Sequence, residues 1–215
     1  MENKYTYVTI LRHGESEWNR SGKHQGQLDS PLSERGIVQA QTTAGWLARC
    51  SRKYNVLYSS DLGRSVQTAF VIARELRLDI RFDARLRERK LGILEGLTLE
   101  EFRKRHREEY RKYVSGDPDY IIPEGESIRQ RYERAVSFLT EVTVMHENQR
   151  ILVVTHGGIL DSIFRKVCSI GLNLERSFSL MNSSINTFVV CNGRWELMSW
   201  GNISHLDGIG ACDDE

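Results

Sequence analysis

Thr9-Ile10-Leu11-Arg12-His13-Gly14-Glu15-Ser16-Glu17-Trp18-Asn19 is the stretch on which the rest of the chain turns. With Tyr7 and Val8 before it, it reads as a buried strand over residues 7–11 that stops abruptly in Arg-His-Gly. A strand ending this way holds its last side chains at the mouth of a sheet, where open α/β folds bind ligands. A guanidinium beside an imidazole at such a mouth points to chemistry on an anion.

Moving outward, Val154 closes a second apolar run, residues 151–154, which ends in Thr155-His156-Gly157-Gly158. Between and beyond these two strands the periodicity alternates. Helices are expected over residues 33–50, with Ser33 as N-cap and Ile37, Ala40, Ala44 and Leu47 inward, and from Ser60-Asp61, with Val66, Ala69, Phe70, Ala73 and Leu76 inward. A charged helix is expected over 98–114, an amphipathic one over 126–147, and another over 159–168. Short strands are expected at 56–59 and 80–82, and a hairpin over 186–200 closing through Asn192-Gly193. This order predicts a three-layer α/β/α sandwich with a mostly parallel central sheet. If the two His-ended strands are neighbours, their imidazoles meet at one edge.

The chain has 215 residues, which fits one domain over 1–215, with a helical cap inserted at about 98–123. A net charge of +1 provides no global field for nucleic acid or membrane, and no apolar run reaches the roughly 20 residues that span a bilayer. Residues 1–4 lead straight into a strand without a signal-peptide core. Cys50, Cys168, Cys191 and Cys212 lack metal-ligand or redox spacing and are expected as buried free thiols, as in a cytoplasmic protein. The acidic tail, 211–215, is expected to be disordered.

The residues fit phosphoryl transfer, in which a protein mainly places a nucleophile and neutralises charge. His13 offers the nitrogen nucleophile, and Arg12 and Arg64 offer guanidinium clamps. His156, if protonated, adds a further donor, and the N–H groups after Gly157 open a helix that favours anions. The guanidiniums disfavour imidazolium, so His13 is expected to be neutral. Glu88 is expected to protonate the leaving alkoxide and then, as a carboxylate, to activate water. His24, His106, His146 and His205 are expected at the surface. Arg103, Lys104 and Arg107 of the cap are candidates to meet a second anionic group on the substrate.

In order along the chain come 11–19, Gln25-Gly26, Asp29-Ser30-Pro31-Leu32, 59–69, Leu86-Arg87-Glu88, 92–96, Pro123-Glu124-Gly125-Glu126-Ser127 and 154–158. Together they resemble the histidine phosphatase superfamily, which includes the phosphoglycerate mutases. The resemblance implies a phosphoglycerate mutase-like fold, phosphorylation of His13, a phosphoryl group held by Arg12, Arg64 and His156, and Glu88 as acid/base. It also implies that Asn19 contacts phosphate and that Gln25 and Gly26 lie near the substrate. Neither a metal nor a cofactor is implied; the partner is a small phosphorylated substrate.

Mutases of this family carry a Phe-Thr-Gly-Trp loop where this chain has His24-Gln25-Gly26-Gln27, and Arg-His-Tyr-Gly where it has Arg89-Lys90-Leu91-Gly92. Water is therefore expected to accept the phosphoryl group, in a phosphomonoester hydrolase working through phosphohistidine. A cofactor-dependent phosphoglycerate mutase and a catalytically silent phosphate-binding scaffold stay open as alternatives. A metal-dependent hydrolase is disfavoured by the two arginines and by the lack of a His-Glu-x-x-His pattern. Oligomeric state is left open, a dimer being one option.

Overall fold

Along the chain the first half runs β1 (Tyr5–Arg12), α1 (Glu17–Arg20), α2 (Glu34–Arg49), β2 (Val56–Ser59), α3 (Gly63–Leu76) and β3 (Ile80–Phe82). The second half runs α4 (Leu99–Arg105), α5 (Arg107–Val114), α6 (Ile128–Met145), β4 (Arg150–Thr155), α7 (Gly157–Cys168), β5 (Ile185–Cys191) and β6 (Arg194–Asn202). The computed structural model describes residues 5–50 and 53–213, so the expectations on residues 1–4 and 214–215 lie outside the described residues.

The strands form one sheet in the order β3-β2-β4-β1-β5-β6. The pairs from β3 to β1 are parallel, and β5 and β6 add an antiparallel edge. Asn192 and Gly193 close the last hairpin at φ of 49° and 75°, the positive values that a type I′ turn needs.

Side-chain alternation sorts the core into two layers. Val8, Ile10, Val56, Ile151 and Val153 point to one face, where Phe138, Leu139 and Val142 of α6 and Ile159 and Ile163 of α7 cover them. Leu11, Leu57, Leu152 and Val154 point to the other, under Ala44 and Leu47 of α2 and Ala69 and Ile72 of α3. The sheet is thus buried on both faces, as the unbroken apolar runs require.

Several expectations are corrected. The charged segment is two helices broken at His106 (φ −134°, ψ 60°), not one. Phe102 is fully buried and meets both Tyr110 and Tyr113, with centroids 6.4 and 6.1 Å away. In a straight helix residues 102 and 113 would stand about 16 Å apart along the axis, so the break is what lets Tyr113 fold back. Ile37 and Phe70 are exposed, because buried polar residues (Gln39, Thr43, Ser65, Thr68) share the inner stripes and rotate them away from the purely apolar face.

The tail is ordered as far as Asp213: its carboxylate pairs with Arg176 and accepts from Leu180 N, and Cys212 O accepts from Asn182 N. The four cysteines are free, yet Cys212 is exposed and the others are half-buried. His146 is buried against the Tyr58 hydroxyl, and His24, His106 and His205 are half-buried, so none of the four is a surface histidine. Among the described residues no helix is long and apolar enough to cross a membrane.

Candidate active site

Adjacent strands β1 and β4 end level with each other, Arg12 opposite Thr155, and a bond from His13 N to Thr155 O (2.9 Å) continues the pairing. His13 and His156 therefore leave the sheet side by side, ring centroids 5.1 Å apart. The chain after β1 departs to α2 on one face and the chain after β4 to α7 on the other, which opens a crevice between them. Gly14 is needed at that exit. A Cβ there would sit 3.1 Å from Gly36 C of α2 and closer still to its carbonyl oxygen.

His13 Nδ1 lies 2.7 Å from Gly14 O, which can only accept. The proton is therefore on Nδ1, and Nε2 keeps its lone pair. Burial, reinforced by the charges of Arg64 and Arg12, holds the His13 pKa well below the usual imidazole range. The ring is neutral, as expected.

Arg12 is fully buried and donates from Nη1 to Leu180 O (2.5 Å). Arg64, in the first turn of α3, donates from Nε to His13 Nε2 (3.3 Å) and from Nη2 to Gly26 O (2.9 Å). Its ion pair is with Asp29 (3.1 Å), while Asp61 pairs instead with Arg87. Asp29 also accepts from Gly63 N and Arg64 N, so a loop carboxylate caps α3 where Leu62 offers no side-chain cap.

His156 corrects its expectation. Burial first, then Arg64, His13 and Arg12, lower its pKa well below the usual value, so it is neutral and not an imidazolium. His156 Nε2 faces two hydroxyls, Ser60 Oγ at 2.8 Å and Ser65 Oγ at 3.2 Å, either of which can donate to it. With a hydroxyl proton directed there the ring proton sits on Nδ1, which is buried and has no partner among the described residues. A buried donor left unpaired costs about 1–3 kcal/mol, which an oxyanion would offset.

Glu88 is buried, and both its oxygens accept backbone N–H groups: Oε2 from Gly158 (2.8 Å) and Oε1 from Arg89 (2.6 Å). The N-terminus of α7 thus spends one of its donors on Glu88 rather than directly on an anion. Arg134 holds the backbone beneath by donating to the carbonyls of Arg85, Arg87 and Glu88.

A cavity of about 300 Å³ opens over His13, and Arg64, Glu88, Asn19, Gln25 and Gly26 line it. Asn19 commits its Oδ1 to Ser16 N and Oγ in the capping box of α1, and Gln25 Oε1 accepts from Ser30 Oγ. Gly157 only opens α7; its neighbour Gly158 reaches the cavity wall. Arg103, Lys104 and Arg107 do not line it, and Lys104 pairs with Glu100 at 2.6 Å. The cavity's other cations include Arg89, Arg131 and Arg165, with Asp161 between the last two. Sequence reading passed over these. The available signal was an arginine on the inner stripe of α6 and an Asp161/Arg165 pair at i,i+4 within an apolar helix. Among the described residues no three of His, Cys, Asp and Glu are grouped as ligands for a metal ion.

The profile of the histidine phosphatase superfamily (branch 1) matches residues 8–203. Phosphoglycerate mutase-like protein 4 of Arabidopsis thaliana is 37% identical over 209 residues, 96% of this chain and 89% of that protein. The metal-independent phosphoserine phosphatase of the same plant is 34% identical, covering 98% of this chain and 87% of its own. Among solved structures, a mutant phosphoserine phosphatase from Entamoeba histolytica in complex with phosphoserine superposes with a TM-score of 0.83 at 30% identity, over 94% of this chain and 99% of that one.

Proposed function

The chain belongs to the histidine phosphatase superfamily, and from that membership we propose that it hydrolyses small phosphomonoesters through a phosphohistidine on His13. Its class is that of a phosphatase. The reading is carried above all by one observation: a neutral His13 whose Nδ1 proton is held by Gly14 O, leaving Nε2 as nucleophile between two guanidiniums.

In the first step His13 Nε2 attacks phosphorus and the bond to the alcohol oxygen breaks. Arg12, Arg64 and the His156 Nδ1–H neutralise charge on the equatorial oxygens. Glu88 supplies the proton to the departing alkoxide. In the second step the Glu88 carboxylate takes a proton from water, which attacks the phosphohistidine, releases phosphate and restores His13. Gln25 and Gly26 lie against the substrate in this reading, and Asn19 offers its amide to phosphate while its Oδ1 orders the loop. The 98–123 segment is a cap on a single catalytic domain. Cytoplasmic residence is part of the same reading, since free thiols suit a reducing compartment.

The test is incubation with a generic phosphomonoester in EDTA, alongside His13→Ala, with a rapid acid-sensitive trap for phosphohistidine. Phosphate release by the parent, its loss in the variant, and an adduct on His13 are expected. Loss of activity to EDTA, or transfer of phosphate within phosphoglycerates without release, would overturn the reading.

A further inference from the structure

The turn that follows Glu88 carries a carboxylate that the chemistry above leaves unused. Gly92–Leu94 form one turn of 3₁₀ helix, flanked and pinned by Leu91 and Leu94, which are buried with Phe102 and Ile122 of the cap. Glu95 leaves this turn half-buried and outside the cavity wall, whereas Gly26, Arg64, Glu88 and Leu91 all line the cavity. Its Oε1 accepts from two backbone N–H groups of separate segments, Gln27 (2.9 Å) and Leu91 (2.9 Å). Glu95 therefore ties two walls of the cavity together without facing a substrate.

Gln27 is where those walls meet. Its two neighbours hold the fork of Arg64: Gly26 O accepts from Nη2 and Leu28 O from Nη1, both at 2.9 Å. Its own side chain turns the other way and donates from Nε2 to Glu88 O (3.2 Å). The second N–H on Glu95, that of Leu91, closes the ring three residues beyond Glu88. The fit is close at Gly26, whose φ is 53° and where a Cβ would come 2.8 Å from both Cγ and Cδ of Glu95. Two backbone bonds, His24 N to Leu97 O (2.9 Å) and Gly96 N to His24 O (2.8 Å), join the same loop and turn without that side chain. They keep the loop attached when Glu95 is changed, so the carboxylate governs its fine placement.

We propose that Glu95 is a positioning residue, which sets the Arg64 guanidinium and Glu88 at their working separation by holding Gln27 and Leu91 on one oxygen. The inference rests on the phosphatase reading, which gives Arg64 the phosphoryl group and Glu88 the leaving oxygen. A carboxylate suits the task, because hydrogen bonds to an ionised acceptor are shorter and about twice as strong as neutral ones. Placement matters here, since a misplacement of about 1 Å costs on the order of a hundredfold in rate. Charge by itself predicts the opposite sign. A nearby carboxylate repels a bound anion, so deleting Glu95 without moving Arg64 would tighten phosphate binding.

The experiment is calorimetric binding of inorganic phosphate to the parent, Glu95→Ala, Glu95→Gln, Arg64→Gln and the double variant Glu95→Ala/Arg64→Gln, with melting curves to check the folds. Glu95→Asp, whose carboxylate is one methylene short of the two N–H groups, replaces Glu95→Ala if that variant does not fold. Glu95→Ala should weaken phosphate about tenfold, against the sign of the lost charge, and Glu95→Gln, which keeps an oxygen for both N–H groups, should stay near the parent. On the Arg64→Gln background the same Ala substitution should change phosphate binding little, because its effect passes through Arg64. Hydrolysis adds a second readout: Glu95→Ala should lower kcat more for an alkyl phosphate than for p-nitrophenyl phosphate, since Glu88 is displaced as well. Phosphate affinity unchanged or raised in Glu95→Ala, an equal loss in Glu95→Gln, an undiminished loss on the Arg64→Gln background, or equal losses in kcat for the two esters would each overturn the assignment. A parent that hydrolyses neither ester defeats the hydrolase reading instead, and the phosphate-binding cycle still decides whether Glu95 acts through Arg64.

Discussion

Arg64 Nε points its proton at His13 Nε2 across 3.3 Å, the same nitrogen that the Nδ1 bond to Gly14 O leaves with a lone pair. One guanidinium therefore adds to burial in keeping the imidazole neutral and, in the proposed mechanism, stands where the charge on a transferring phosphoryl group develops. Three further groups fix that guanidinium: Asp29, Leu28 O and Gly26 O.

Arg64→Gln should act on both roles. Removing a positive charge beside His13 favours imidazolium, so the His13 pKa should rise, which NMR titration of the imidazole would detect. Loss of a charged donor to phosphate is worth about 1.5–3 kcal/mol, so inhibition by inorganic phosphate should weaken roughly ten- to hundredfold. An unmoved pKa would mean that burial, the largest cause, and Arg12 set the protonation state of His13 without Arg64.

Glu88→Gln keeps an oxygen to accept from Gly158 N but has no proton to exchange. Its effect should depend on the leaving group. For an alkyl phosphate kcat should fall about a hundred- to ten-thousandfold, and for p-nitrophenyl phosphate, whose leaving group needs little protonation, the phosphorylation step should slow far less. Equal losses in single-turnover measurements would remove Glu88 as the acid.

Stability should fall on acidification below pH 6.5. His13 and His156 have folded pKa values depressed by burial and by neighbouring cations, and burial brings His205 down to about 4. Below the unfolded value near 6.5 the unfolded chain binds protons that the folded chain does not, so stability is full above that pH and declines as pH falls towards the folded values. Each fully buried histidine contributes up to about 1.4 kcal/mol per pH unit in that window. Urea midpoints at pH 7.5 and pH 5 measure the decline, and His205→Gln should flatten its share between pH 6.5 and 4.

Lys104→Gln should leave substrate preference as it is. Lys104 is exposed, pairs with Glu100 one turn away and does not line the cavity, although its basic neighbourhood made the cap an attractive place for a second anion contact. A changed ratio of kcat/KM between 3-phosphoglycerate and glycerol 3-phosphate in this variant would show the cap closing further over the cavity.

Much of the molecule is legible along the chain because its signals are local. Strands β1 and β4 announce themselves as unbroken apolar runs that end in His-Gly, and Ser33 marks the start of α2 by a side-chain cap three residues from the N–H it serves. Arg12, His13 and His156 could be named for the same reason: each sits at a strand end, and strand ends are read from the chain itself. The doubly covered sheet follows from those runs, since a strand apolar on both sides must be buried on both sides.

Other features were settled only when distant segments met. Arg64 and Glu88 acquire their setting from Asp29 and Gly158, which are 35 and 70 residues away. The break at His106 answers to Phe102 meeting Tyr113, and the neutrality of His156 to burial beneath three neighbouring basic side chains. Arg131 and Arg165 were passed over in the sequence, and it is Asp161 and the cavity wall that bury them. Burial and dielectric depend on every packed neighbour at once, whereas a strand, a turn or a cap depends on a few residues in a row. The candidate nucleophile was thus legible in the sequence by itself, and the charge states around it and the burial of Arg131, Asp161 and Arg165 were decided only by the tertiary structure.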